Sequence, residues 1–141
     1  MNPNLAFEQM RARRWGYCGL FVWAALGFLL EAAHGWKLAA YLDDALVREQ
    51  LRLAHAHGVL LSLVCVTYSS AGVRMLETRS DCGRSVRVLL TAASVLMPVG
   101  FLLSVFGHAE ADPGVAIWLV PVGATSLLAA LGQLAIASFR H

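Results

Sequence analysis

Charge is scarce in this chain. Asp, Glu, Lys and Arg make up 14% of its 141 residues, where a soluble domain carries around 25%. The net charge is only +2, and the basic residues are scattered along the flanks of apolar runs. This argues against a nucleic-acid surface. Cysteine is equally sparse. Cys18, Cys65 and Cys82 form an odd set without a CxxC spacing, which excludes a disulfide framework and a structural zinc knot. Cys18 and Cys65 fall inside apolar runs, where cysteine acts as a small hydrophobe. There is no phosphate-binding glycine loop, no Ser/His/Asp set and no zinc-protease motif, so nucleotide and hydrolase chemistry have no foothold.

What the chain has instead is hydrocarbon. Hydrophobic residues reach 58% and the mean hydropathy is +0.62. This is the composition of an integral membrane protein built as one unit. Four apolar runs are long enough to cross a bilayer: about Trp15–His34, Leu53–Val73, Val88–Gly107 and Val115–Phe139. The expected fold is therefore all-α, an antiparallel bundle of four transmembrane helices. The N-terminal basic lead and apolar run resemble a signal peptide in order. The run is long and lacks a clear small-residue cleavage site, so it reads as a retained first span.

The connections are polar. Gly35 is a natural helix stop for the first span. Between it and the second span, the segment from Leu38 to Leu51 has apolar positions near helical spacing and predicts a short helix on the membrane surface, standing alone or leading into the second span. The segment Arg74 to Arg87 predicts a polar loop. Pro98, in the middle of the third span, predicts a kink and a freed carbonyl. Asp112-Pro113-Gly114 predicts a tight turn.

Arginine distribution sets the expected orientation. Arg11, Arg13 and Arg14 precede the first span, Arg74, Arg79, Arg84 and Arg87 follow the second, and Arg140 follows the fourth. All fall on one side, so the positive-inside rule places both termini in the cytoplasm. A bacterial inner membrane is the expected location, with the other connections facing the periplasm.

On that topology four of the five histidines gather at one boundary. His34 ends the first span, His55 and His57 open the second, and His108 ends the third. Glu31 lies one turn before His34, an i, i+3 pair on one face. Such residues are costly inside a bilayer unless something binds or pairs with them. The face of His55 carries Gly58, Ser62, Cys65 and Ser69. The face of His108 carries Ser104, Gly100 and Met97, and that of Glu31 and His34 carries Gly27, Ala24 and Gly16. Small residues mark packing faces in membranes, so these three faces are expected to point inward. His57 shares its face with Leu61, Val64 and Tyr68 and is expected to face headgroups or the surface helix.

These placements predict a site under one membrane surface. Its metal ligands are expected to be His34, His55 and His108 with Glu31 as ligand or orienting partner, and His57 stands in reserve as a cofactor ligand. Neutral imidazole suits zinc, copper, iron or the iron of haem b. The Glu31-x-x-His34 pair also has the spacing used in helical di-iron bundles. For haem, two histidines on different helices would be the axial ligands, with Lys37, Arg48 or Arg52 near the propionates. Gln133 and Ser126 in the fourth span read as interhelical glue.

The stretch Leu53-Ala-His55-Ala-His57-Gly58-Val-Leu-Leu resembles the histidine-bearing helix starts of haem-copper oxidase relatives and of small bacterial membrane proteins with an AHxH opening. The resemblance spans about ten residues and implies His55 or His57 as a haem or copper ligand. Four spans without the oxidases' further histidine set exclude a complete oxidase catalytic subunit. The expected function is a haem- or metal-binding membrane protein with a redox or electron-transfer role. Two other readings stand beside it: an accessory or assembly subunit of a larger membrane complex, and a small proton or cation transporter using Glu31 and the histidines. A homo-oligomer with ligands shared across its interface is compatible with all three.

Overall fold

The computed structural model describes residues 3–72, 80–109 and 112–139. Of the residues named above, Val73, Arg74, Arg79 and Arg140 lie outside them. Helix α1 spans Pro3–Gly35, a single turn α2 spans Ala39–Leu42, and α3 spans Ala45–Thr67 and runs on as a π turn over Tyr68–Gly72. Helix α4 covers Ser80–Leu103, and a 3₁₀ turn at Val115–Trp118 leads into α5, Leu119–Ser138. The fold is all-α. Four stretches are long and apolar enough to cross a membrane: Ala6–Gly35, Ala45–Ala71, Cys82–Leu103 and Val115–Ser138.

Three boundaries differ from the sequence expectation. The polar lead is helical from Pro3, because its Leu, Ala, Glu, Gln, Met and Arg residues are good helix formers and proline suits a first turn. The expected surface helix does lead into the second span, whose helix therefore starts earlier than Leu53. Only α2 stands apart, while Ala45 to Arg52 belong to α3, started by the Asp44 side chain accepting from the Val47 amide at 3.0 Å. The expected loop ends early, so Arg84 and Arg87 ride on α4. Helix α4 also continues through the buried Pro98 to Leu103.

Helix α1 does end at Gly35, but the left-handed residue is Lys37, at φ 54°. The Leu38 amide donates to the Ala33 carbonyl at 3.0 Å, closing the six-residue cap that such a residue permits. Gly107, at φ 69°, reverses the chain after α4 and needs its freedom from a side chain.

Consecutive long helices run antiparallel, and interhelical contacts fix their register. Gly16 and Gly19 of α1 lie against Val66 and Ser62 of α3. On the other side of α3, His57 meets Phe101 and the Tyr68 hydroxyl donates to the Gly83 carbonyl at 2.7 Å. Helix α5 lies on α4 through Gly100 against Val120 and Gly123 against Met97. Helix α1 also lies beside α4 in parallel, with Glu8 paired to Arg87 and the Trp15 indole donating to Ser94 Oγ at 2.9 Å. Gln133 does act as glue, donating to Ser85 Oγ at 3.3 Å between α5 and α4.

Two apolar clusters stack along this unit. One holds Ala12, Cys65, Tyr68, Val86, Leu90 and Ala130. The other holds Trp23, Ala54 and Phe101. Helix α4 is the most enclosed span, with 44% of its most apolar stretch buried, against 17% for α1 and 11% for α5. The exposed faces of α1 and α5 carry Phe21, Phe28, Leu128 and Ile136. Such faces are stable against lipid hydrocarbon and not against water. The chain is an integral membrane protein in contact with the bilayer.

Candidate functional site

His55 is half-buried between α3 and α1. Its Nδ1 lies 2.7 Å from the Trp23 carbonyl oxygen. The ring rests on bare Gly27, where a Cβ would fall 2.3 Å from imidazole Cε1. The contact is reciprocated one turn away, four residues back on α1 and three on along α3, where a Cβ on Gly58 would fall 2.2 Å from the Trp23 indole. Two aromatic rings on glycines thus clamp α1 to α3. They explain why the small-residue face of His55 points inward, with Gly58, Ser62, Cys65 and Ser69 all buried.

His57 takes the opposite flank. A spacing of two rotates its side chain about 200° from that of His55. Its ring centroid lies 4.9 Å from that of Phe101 on α4, and Nδ1 is 2.9 Å from the Leu53 carbonyl of its own helix. The expectation that His57 faces headgroups is therefore corrected. Leu61 and Tyr68 on the same face are buried as well.

His108 follows α4 and is held by the segment before α3. Its Nε2 lies 3.2 Å from Asp44 Oδ2, while Asp44 Oδ1 caps α3. The other ring nitrogen, Nδ1, is buried without a hydrogen-bond partner. One turn below, the Ser104 hydroxyl sits 2.7 Å from the Phe101 carbonyl and 3.1 Å from the Gln50 side-chain oxygen. Ser104, Gly100 and Met97 are buried, as expected of the His108 face.

His34 and Glu31 are exposed at the end of α1. The inward turn expected for them is corrected: Gly16 and Gly27 do pack on α3, but Ala24 is exposed, and beyond Gly27 no residue of α1 is fully buried. Among the described residues no group of three or more His, Cys, Asp or Glu side chains is placed to hold a metal ion. The metal-ligand set of His34, His55 and His108 with Glu31 is therefore not assembled there. The reason is geometric. His55 is committed to α1, His57 to α4 and His108 to Asp44, while His34 faces outward.

The arrangement does fix the state of two rings. A carbonyl oxygen only accepts, so the Nδ1 of His55 and that of His57 must each carry the proton. In the neutral ring Nε2 then holds a free lone pair. His108 is the mirror case in geometry: Nε2 faces Asp44 Oδ2 at 3.2 Å, and Nδ1 is the nitrogen without a partner. A ring nitrogen tied to a carbonyl or carboxylate, with the other nitrogen free, is the arrangement found behind metal-ligating histidines.

Sequence reasoning missed two partners. Asp44 could have been found as an Asp preceding a helical run, a normal cap position. The Trp23 carbonyl carries no signal in the sequence, because any residue there has one. No known protein family, characterised protein or solved structure matches the chain.

Proposed function

We propose that this membrane protein binds a haem through an imidazole at the histidine end of the bundle and serves in electron transfer, with His55 the first candidate ligand and His57 the second. The observation that carries the reading is the hydrogen bond from His55 Nδ1 to the Trp23 carbonyl, 2.7 Å, which orients the ring and leaves Nε2 as a ligand nitrogen. Haem suits these residues better than a bare transition-metal ion. A bare ion needs three or four protein donors, and the described residues offer no such group. A porphyrin brings four nitrogens of its own and asks for only one or two imidazoles.

The test is an absorption spectrum of the detergent-purified protein, taken before and after dithionite, from cells supplied with haem precursor. A Soret band that shifts on reduction, and that is lost in His55→Ala while the helical content stays, supports the reading. A colourless protein, or full pigment retained in both His55→Ala and His57→Ala, overturns it. The first of those results would favour the accessory-subunit reading, in which the same imidazoles serve only to join helices.

A further inference from the structure

A cleft lies between α1 and α4, at the depth where the two apolar clusters of the core give way to small residues. Its volume is about 210 Å³. Exposed Trp15, Cys18 and Val22 form its rim, while buried Trp23, Ser62 and Ser94 lie deeper, with Val95 and Val99 of α4 as the far wall. Every lining residue belongs to a membrane-spanning segment, so its mouth opens toward hydrocarbon.

The two serines differ. The Ser94 hydroxyl is fully used: it accepts from Trp15 Nε1 at 2.9 Å and donates to the Thr91 carbonyl at 2.9 Å. Ser69, Ser70, Ser104, Ser126 and Ser138 likewise donate to carbonyls of their own helices. Ser62 is only 2% exposed, yet its hydroxyl makes no hydrogen bond among the described residues. It lies against bare Gly19, where a Cβ would come within 2.3 Å of Oγ, and it lines the cleft. The hydroxyl is therefore a donor that a ligand oxygen in the cleft can take up.

Size and walls narrow the ligand. An apolar cavity of about 150 Å³ takes benzene, so this cleft takes one six-membered ring and is far too small for a porphyrin. Indole walls favour a flat partner. From this geometry we infer that the cleft binds the head ring of a membrane-dissolved quinone, with a ring carbonyl oxygen accepting from Ser62 Oγ and its tail leaving past Val22 into the bilayer. The inference does not rest on the haem reading, and it stands or falls separately.

The experiment uses the full chain in nanodiscs with Trp36→Phe and Trp118→Phe, which leaves Trp15 and Trp23 as the only indoles. The probe is a fully substituted benzoquinone with a decyl tail, which thiols cannot add to. Saturable quenching of indole fluorescence is expected, weakened roughly tenfold by Ser62→Ala, the value of one hydrogen bond, and abolished by Val99→Phe. Quenching that rises linearly with quinone and is equal in all variants overturns the inference, as does Ser62→Ala binding as tightly as the parent. Should Val99→Phe fail to fold, Cys18 supplies a second readout in a Cys65→Ala, Cys82→Ala background. Quinone is expected to slow maleimide labelling of Cys18 severalfold, and unchanged labelling overturns the inference.

Discussion

The two ends of this bundle are held together by different means. At the arginine end, Glu8 of α1 pairs with Arg87 of α4, and both side chains are only 13% exposed. Beside them the Tyr68 hydroxyl donates to the Gly83 carbonyl at 2.7 Å. These are direct helix-to-helix bonds, and the Tyr68 hydroxyl spends its one proton on the fold. At the histidine end, the His55–Trp23 and Ser104–Gln50 bonds also tie α3 to its neighbours, but the imidazoles are tied on one side only. His55, His57 and His108 each use one ring nitrogen to hold position and keep the other. Where polar groups exceed what packing consumes, chemistry is the better explanation of their presence. This contrast is what points the functional reading to one end of the molecule.

The sharpest way to break the comparison is to remove half of a buried charge pair. Arg87→Ala leaves the Glu8 carboxylate without its partner, and a loss of about 3 kcal/mol is expected in detergent unfolding. Replacing Glu8 by Leu and Arg87 by Met is expected to recover most of it, because an apolar pair of similar volume avoids the desolvation of two charges. A loss below about 1 kcal/mol for Arg87→Ala would show that the arginine end is not the structural anchor described here.

Next in size is the helix clamp between the ends. Gly58→Val forces a branched side chain into the Trp23 indole, whose rings already lie within 2.2 Å of an ideal Cβ at that position. The indole cannot withdraw without leaving the second apolar cluster, so a destabilisation of about 2 kcal/mol is expected, read as a lower melting temperature. The same variant shifts the Trp23 backbone that holds His55, so any bound pigment should be lost with it. Tyr68→Phe comes lower, at about 1 kcal/mol, since it removes one hydrogen bond and leaves the Gly83 carbonyl unmet.

Much of this contrast was legible in the sequence, but unevenly. Apolar runs of bilayer length gave four spans, because nothing else satisfies the backbone of such segments. Period-3.6 reading put Gly58, Ser62 and Cys65 on one buried face and Ser104, Gly100 and Met97 on another. It failed at His34 and Glu31, because periodicity says which residues share a face and not where along α1 full burial ends. It failed at His57 because α3 has neighbours on two flanks, so a side chain turned away from α1 is turned toward α4. The shared depth of the histidines was readable, and their separation around the bundle was not. That separation depends on which helices touch.

The smallest expected effect tests the outer tether alone. Asp44 does two jobs with two oxygens: Oδ1 caps α3 at the Val47 amide, and Oδ2 faces His108 Nε2 at 3.2 Å. Asp44→Ala removes both, and about 1 kcal/mol is expected, chiefly from the cap. Asp44→Asn keeps a capping oxygen of equal quality and removes only the charge facing the imidazole. The side chains of His108 and Asp44 are 23% and 36% exposed, so water screens the pair, and a double-mutant cycle of Asp44→Asn with His108→Ala should give a coupling of about 0.5 kcal/mol. A coupling of several kcal/mol would mean that this end is a structural lock like the Glu8–Arg87 pair. The imidazole would then be spent on the fold, and the free Nδ1 would lose its standing as a sign of function. A small coupling leaves the ring held in place at little energetic gain, as expected of a group positioned for something other than stability.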